Sequence, residues 1–280
     1  MDVKSHSIGI IEDEALSAFF QPIYATGFEA PYGYEALIRG PSDSPLHSPK
    51  ALFEAAVEYD LLSKLELACR QVSILRFVEL TLGGKLFLNV SPMIFLQSDH
   101  PHGTTLSFLK TYGLSPEQVV IEISEKYPID SPSLLRDALV HYRDLGLGIA
   151  VDDLGAGYAG RKLWAEVTPD FVKIDRHFIN QCHHDPVKRE FIKSILNLSK
   201  SINSKVVAEG IETTEEYEAL NELGMTLFQG FLFARPEPFP SLEVPNVLKQ
   251  QQRLMQLSVK LEPTVSSLLQ PANAVSYDET

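Results

Sequence analysis

Eight side chains of this 280-residue sequence could act together on a metal ion or a proton: Glu35, Asn89, Glu122, Asp152, Asp153, Lys173, Glu209 and Gln229. Each closes a short apolar stretch. With the aspartate pair taken as one point, the steps between them run from 20 to 54 residues, close to the length of a strand plus its crossover helix in a repeating β/α unit. In a barrel of such units the strand ends share one rim, so these side chains would meet there. The five carboxylates Glu35, Glu122, Asp152, Asp153 and Glu209 would then repel one another strongly. Two divalent cations would cancel four of those charges and Lys173 the fifth, which makes a two-metal site the arrangement that best explains why the cluster is tolerated. Taken singly the residues say little: an acid at a strand end is most often solvated, and Lys173 with Glu209 alone could equally be a structural ion pair.

The elements that must position these groups can be read from the pattern. Lys85–Asn89, Val119–Glu122, Ile149–Asp152, Phe171–Lys173 and Val206–Glu209 are short, rich in β-branched or aromatic residues and bounded by turn formers, as buried strands are. Between them lie helical spacings such as Leu134, Leu135, Ala138, Leu139, Tyr142 and Phe191, Ile192, Ile195, Leu196. Alternating strand and helix predicts an α/β fold with parallel pairing, and the length and composition fit a single barrel domain over residues 1–242. Residues 243–258 read as an amphipathic helix, and 262–280 as an aperiodic Pro, Ser and acidic tail.

A formal charge of −13, with no basic run, excludes nonspecific DNA binding. No apolar run reaches the ~18 residues of a membrane span, and the N-terminus lacks a secretory pattern. Cys69 in a helical pattern and Cys182 in a polar turn imply no disulfide framework, so a cytoplasmic setting is expected. His183 and His184 are adjacent, and their side chains diverge too far for a metal site. Gly155-Ala156-Gly157 lacks the lysine of a phosphate-binding loop. A glycosidase needs only two carboxylates, and that reading leaves Asn89, Lys173, Gln229 and the paired aspartates unexplained.

The motifs in order are Gln21-Pro22-Ile23, Gly33-Tyr34-Glu35-Ala36-Leu37-Ile38-Arg39, Asn89-Val90-Ser91-Pro92, Glu122-Ile123-Ser124-Glu125, Asp152-Asp153-Leu154-Gly155-Ala156-Gly157-Tyr158, Lys173-Ile174-Asp175, Ala208-Glu209-Gly210-Ile211-Glu212 and Gln229-Gly230. A sequence carrying them resembles the EAL-type cyclic di-GMP phosphodiesterases over roughly residues 15 to 240. The resemblance implies a modified (β/α)8 TIM-type barrel with one antiparallel strand near the N-terminus, residues 17–25 pairing with 32–38. It implies a first metal held by Glu35, Asn89, Glu122 and Asp152, and a second held by Asp152, Asp153 and water. Oxygen-only ligation suits Mg²⁺ or Mn²⁺, two per site, over zinc. Lys173 and Glu209 would hold or deprotonate the attacking water, and Gln229 would join the same network. The product would be linear pGpG, lowering second-messenger levels in bacterial signalling.

Arg39, four residues after Glu35 on the same strand, would face the same side and suit a phosphate oxygen. Gln21, Leu37 and Pro92 would line the nucleotide groove, and Glu125 would anchor the loop after Asp153. The resemblance also implies a homodimer through the loop and helices after Asp153, with Trp164 either in that contact or buried within one subunit. It implies attachment to a regulatory or cyclase domain that this chain does not include. One departure stands out. Where a common form of the loop carries Thr, Ser and Ser, this chain has Ala156, Ala159 and Gly160, losing hydroxyls that order it. A receptor that binds cyclic di-GMP without turnover is therefore the alternative to the hydrolase.

Overall fold

The computed structural model describes residues 3–13, 15–96, 103–124, 132–154, 164 and 167–250. Eight strands close into a barrel: β1 (Ser17–Ala25), β2 (Gly33–Arg39), β3 (Lys85–Asn89), β4 (Val119–Ser124), β5 (Gly148–Leu154), β6 (Phe171–Ile174), β7 (Lys205–Ala208) and β8 (Leu227–Phe228). Strands β2 to β8 run parallel, while β1 is antiparallel to both neighbours, β2 and β8. This is the α/β barrel with one reversed N-terminal strand. The reversal follows from the short β1–β2 connection: Gly27 takes φ 85° and the Tyr32 N–H donates to the Ile23 carbonyl at 2.8 Å, leaving no length for a crossover helix.

Alternation along the strands divides two cores. Side chains facing the helices, among them Phe20, Tyr34, Leu86, Ile121 and Ile149, join the outer cluster with residues of the helices. Those facing inward, Ile23, Phe87, Val120, Ala150, Phe171, Val207 and Leu227, form a smaller plug inside the barrel. The helices are α1 (Val3–Glu12), α2 (Pro49–Glu58), α3 (Leu62–Glu79), α4 (Thr104–Tyr112), α5 (Pro132–Asp144), α6 (Arg176–Ile179), α7 (Pro186–Ser201) and α8 (Thr214–Glu222). Their starts are set locally. Ser48 caps α2 through the Ala51 N–H with Pro49 in the first turn, as its sequence predicts, and Asp185 before Pro186 does the same for α7. Thr213 and Glu216 form a capping box on α8.

Two features go beyond the sequence pattern. Helix α1, which no sequence pattern announced, places Ile10 in the outer cluster. Cys182 follows α6 in a turn, as expected, and the structure adds that it is fully buried. The chain divides into two compact units, Met1–Glu243 and Val244–Thr280. Of the second, only residues up to 250 are described, and 246–250 are helical. No helix among the described residues is long and apolar enough to cross a membrane.

Candidate active site

Two residues beyond each apolar plug residue comes a polar one, because side chains of the same parity share a face. Phe87 is followed by Asn89, Val120 by Glu122, Ala150 by Asp152, Phe171 by Lys173, Val207 by Glu209 and Leu227 by Gln229. On reversed β1 the step runs backwards, from Ile23 to Gln21, which pairs directly with Glu35. The barrel thus carries a dry layer and, above it at the C-terminal ends of the parallel strands, a polar one.

Lys173 is the centre of that layer. It is fully buried, and its Nζ lies 2.6 Å from Glu209 Oε1, 2.9 Å from Glu35 Oε2, 2.9 Å from Glu122 Oε1 and 3.5 Å from Asp152 Oδ1. Glu35 also accepts from Asn89 Nδ2 at 2.9 Å and from Gln229 Nε2 at 2.8 Å. Gln229 Nε2 reaches Gln21 Oε1 at 3.1 Å, and Gln21 in turn donates to the Ala234 carbonyl at 3.1 Å. The contact with Glu122 Oε1 is an ion pair between two fully buried side chains. Both oxygens of Glu122, Asp152 Oδ1 and Gln229 Oε1 are buried without a hydrogen-bond partner.

Adjacent residues on a regular strand face opposite sides, so Asp152 and Asp153 need a distortion to act together. The β5–β6 register shifts between Val151 and Leu154, and Asp153 has φ 59°, a left-handed conformation that Asp tolerates better than most residues. Ser124 Oγ donates to Asp153 Oδ2 at 2.9 Å. Oxygens of Asp152, Asp153 and Glu209 consequently lie within 4.8 Å of one another.

Electrostatics follow from this packing. Burial pushes Glu122, Asp152 and Glu209 above the usual carboxylate range; Lys173 opposes the shift in each, and neighbouring acids add to it. Burial also pushes Glu35 up, but Lys173 and the donors Asn89 and Gln229 outweigh it, leaving Glu35 below its ordinary value. For Lys173 burial favours the neutral amine, and the charges of Asp152, Glu122, Glu209 and Glu35 reverse that, holding it charged. Glu35, Glu122, Asp152 and Asp153 remain as clustered acidic ligands even after Lys173 is set against Glu209. Hard oxygen donors, among them Glu122 Oε2 and Gln229 Oε1 with no hydrogen-bond partner, fit divalent cations such as Mg²⁺ or Mn²⁺.

The loops beyond the strand ends are fixed as firmly. A Cβ on Gly230 would sit 2.1 Å from the Ile211 carbonyl oxygen, so only glycine lets the turn after Gln229 pass the one after Glu209. Buried Glu216 accepts from Gln181 N–H and Glu212 N–H at 2.9 Å each, tying α8 to the turns beside the rim. Gln21, Glu35, Leu37, Glu209 and Gln229 open on a common cleft of about 260 Å³. Arg39 lies over the Phe19 ring at 5.4 Å, within the field of Glu35. Pro92 is buried at the start of a 3-10 turn (Pro92–Leu96). Trp164 is 2 % exposed. Glu125, the loop 155–163 and the segment 251–280 lie outside the described residues.

Sequence reasoning missed Glu66 and Arg70, both buried on α3 behind the rim. A charged pair four residues apart on a helix ordinarily reads as a solvated face. The available signal was that Glu66 stands among Leu62, Leu65 and Cys69, on the apolar side of α3.

A family model described as EAL domain matches residues 6–236. The oxygen sensor protein DosP of Escherichia coli is 28% identical over 242 residues, 84% of this chain and 30% of DosP; the chain thus spans under a third of the length of that curated relative. Among solved structures, Klebsiella pneumoniae BlrP1 in a calcium and cyclic di-GMP complex aligns with TM-score 0.75 and 31% identity, covering 82% of this chain and 58% of BlrP1. A standalone EAL protein from Vibrio cholerae, bound to cyclic di-GMP, aligns with TM-score 0.73 and 28% identity over 83% of this chain and 97% of its own.

Proposed function

The chain belongs to the EAL domain family, and from that premise we propose that it hydrolyses cyclic di-GMP to linear pGpG with two divalent cations, Mg²⁺ or Mn²⁺. The observation that supports this most directly is the buried Lys173 surrounded by four carboxylates at 2.6–3.5 Å, with buried Glu122 Oε2 and Gln229 Oε1 left without a hydrogen-bond partner. A glycosidase pair would need neither. Cyclic di-GMP is the molecule bound in the BlrP1 and Vibrio cholerae complexes.

Glu35, Asn89, Glu122 and Asp152 would hold the first cation, and Asp152 with Asp153 the second. When bound, the cations supply charge for the phosphate oxygens and acidify water near neutral pH. Glu209 accepts the proton of the attacking water, and Lys173, 2.6 Å from its Oε1, holds that carboxylate in place. The water oxygen bonds to phosphorus, the bond to the ribose 3′ oxygen breaks, and that oxygen takes up a proton from solvent to leave as a hydroxyl. Gln229 and Asn89 keep Glu35 oriented from either side. Arg39 meets a non-bridging phosphate oxygen, while Gln21, Leu37 and Pro92 line the groove.

The test is incubation of the chain with cyclic di-GMP and Mn²⁺ or Mg²⁺, with products resolved by anion exchange and a chelator control. Chelator-sensitive pGpG is expected. Binding without product would support the receptor reading, which the loss of hydroxyls at Ala156, Ala159 and Gly160 favours. Neither binding nor product would sink both.

A further inference from the structure

Glu66 is a carboxylate for which the site described so far has no use. It is 1% exposed, whereas glutamates on helices ordinarily end in water. Its Oε1 accepts the Ser91 N–H at 3.0 Å and its Oε2 has no partner. Together with Asn89, Ser91, Ser124, Asp152 and Asp153 it lines a cavity of about 270 Å³. It therefore reaches from the helix layer to the edge of the acidic cluster.

The backbone of β3 explains why that contact is needed. Asn89, the last residue of β3, pairs with Glu122 across the β3–β4 ladder. The Val90 N–H still finds a ladder partner, the Glu122 carbonyl, at 2.9 Å. The Ser91 N–H is the first beyond the ladder, and without Glu66 it would lose its partner. Glu66 thus extends the ladder by one bond, just before Pro92 turns the chain into its 3-10 turn. Its own helix does not yield. Arg70, one turn along α3 and 2% exposed, donates Nη1 to Thr105 Oγ1 at 2.7 Å and to Tyr142 Oη at 3.0 Å, and Nε to the Glu66 carbonyl at 3.3 Å. Helix α3 is pinned in this way to α4 and α5.

We propose that Glu66 is a positioning residue for the cation site: by holding the corner Asn89–Ser91 against α3, it sets how Asn89 leaves β3 and stands beside Glu35. This rests on the reading of Asn89 as a cation ligand. The carboxylate charge is not what the role requires. An amide oxygen accepts the Ser91 N–H equally well, whereas a shorter acid cannot reach it and a leucine cannot accept.

Calorimetric titration of Mn²⁺ into the wild-type chain and into Glu66→Gln, Glu66→Asp and Glu66→Leu separates these roles, with thermal unfolding in chelator as the control. Groups that orient a ligand typically change metal affinity by about 10- to 100-fold. Glu66→Leu and Glu66→Asp are expected to weaken Mn²⁺ binding by about tenfold, and Glu66→Gln to stay within about threefold of wild type. A purely structural Glu66 would lower the melting temperature of the variants and leave the Kd of the folded protein unmoved. Wild-type affinity in folded Glu66→Leu overturns the proposal; should that variant fail to fold, wild-type affinity in Glu66→Asp does so. If the wild-type chain itself binds no Mn²⁺, the functional reading falls and this one with it. Wild-type binding with unaffected variants removes the role of Glu66 alone.

Discussion

Replacing Lys173 by Met keeps most of the side chain's volume and removes the cation at the centre of the polar layer. Its Nζ lies 2.6–3.5 Å from four carboxylates, and breaking a buried ion pair by removing one partner costs about 3–5 kcal/mol. For a barrel of this size each kcal/mol corresponds to roughly 2–4 °C in melting temperature, so a fall of roughly 6–20 °C is expected in chelator. The loss should depend on pH in a stated direction. Glu122, Asp152 and Glu209 have folded pKa values raised above their unfolded ones. Each keeps a proton on folding that the unfolded chain has released, and so stability declines as pH climbs from about 4 through the folded pKa. A full extra proton bound is worth about 1.4 kcal/mol per pH unit.

Lys173 restrains those shifts. Its own folded pKa is raised, so its contribution is fully present below the unfolded lysine value and fades only as pH rises through the folded one. Without it the three carboxyls move further up, and the deficit of the variant widens as pH rises from the wild-type folded pKa values toward the higher ones of the variant. Saturating Mn²⁺ should narrow the gap, because added positive charge replaces what was lost. Thermal unfolding by circular dichroism across that range measures all three effects. A variant as stable as wild type in chelator, or one whose deficit stays flat with pH, would refute the account of Lys173 as the counter-charge of the cluster.

Two further substitutions probe the neighbours. Glu35→Ala removes the acceptor shared by Asn89, Gln229 and Lys173; losing an electrostatic group of this kind costs on the order of 10²- to 10³-fold in kcat. Cyclic di-GMP binding by calorimetry should survive, and unchanged turnover would contradict the assignment. Ser124→Ala takes the 2.9 Å donor from Asp153. If a hydrogen bond to a charged group worth about 1.5 kcal/mol is expressed in cation binding, the Mn²⁺ Kd rises about tenfold, and a Kd equal to wild type would show that Asp153 is held by other means.

Much of the barrel and its rim was legible because both follow from parity. A polar residue two positions beyond an inward apolar side chain marks the rim, and Asn89, Glu122, Asp152, Lys173, Glu209 and Gln229 all obey that rule. The pairing of residues 17–25 with β2 was legible from the missing length for a helix. What lay beyond reach depended on contacts between distant segments. Helix α1 has too few turns for Ile8, Ile10 and Ile11 to establish a period. The left-handed Asp153 is a backbone fact with no residue type to mark it, since Asp occurs in every conformation. Glu66 and Arg70 look like an ordinary solvated pair until Ser91, Thr105 and Tyr142 arrive from elsewhere in the chain. Lys173 was expected to offset the carboxylates gathered at the rim; the distances of 2.6–3.5 Å to four of them follow from barrel closure, which a linear pattern does not contain.

The raised carboxyls also determine how cations must enter. In the metal-free protein burial holds Glu122, Asp152 and Glu209 in favour of their protonated forms, with Lys173 opposing the shift, whereas a carboxylate must be ionised to bind a hard cation. Cation binding near neutral pH therefore releases protons, and affinity rises with pH until these groups are ionised unaided. Glu35, already below its ordinary value, contributes none. Titrating Mn²⁺ at about pH 7 in buffers of different ionisation enthalpy should give apparent heats that vary linearly with the buffer, with a slope of about one proton or more released. Heats independent of the buffer would mean that the carboxylates are ionised before the cation arrives, so that Lys173 alone, and not proton uptake, makes the empty cluster tolerable.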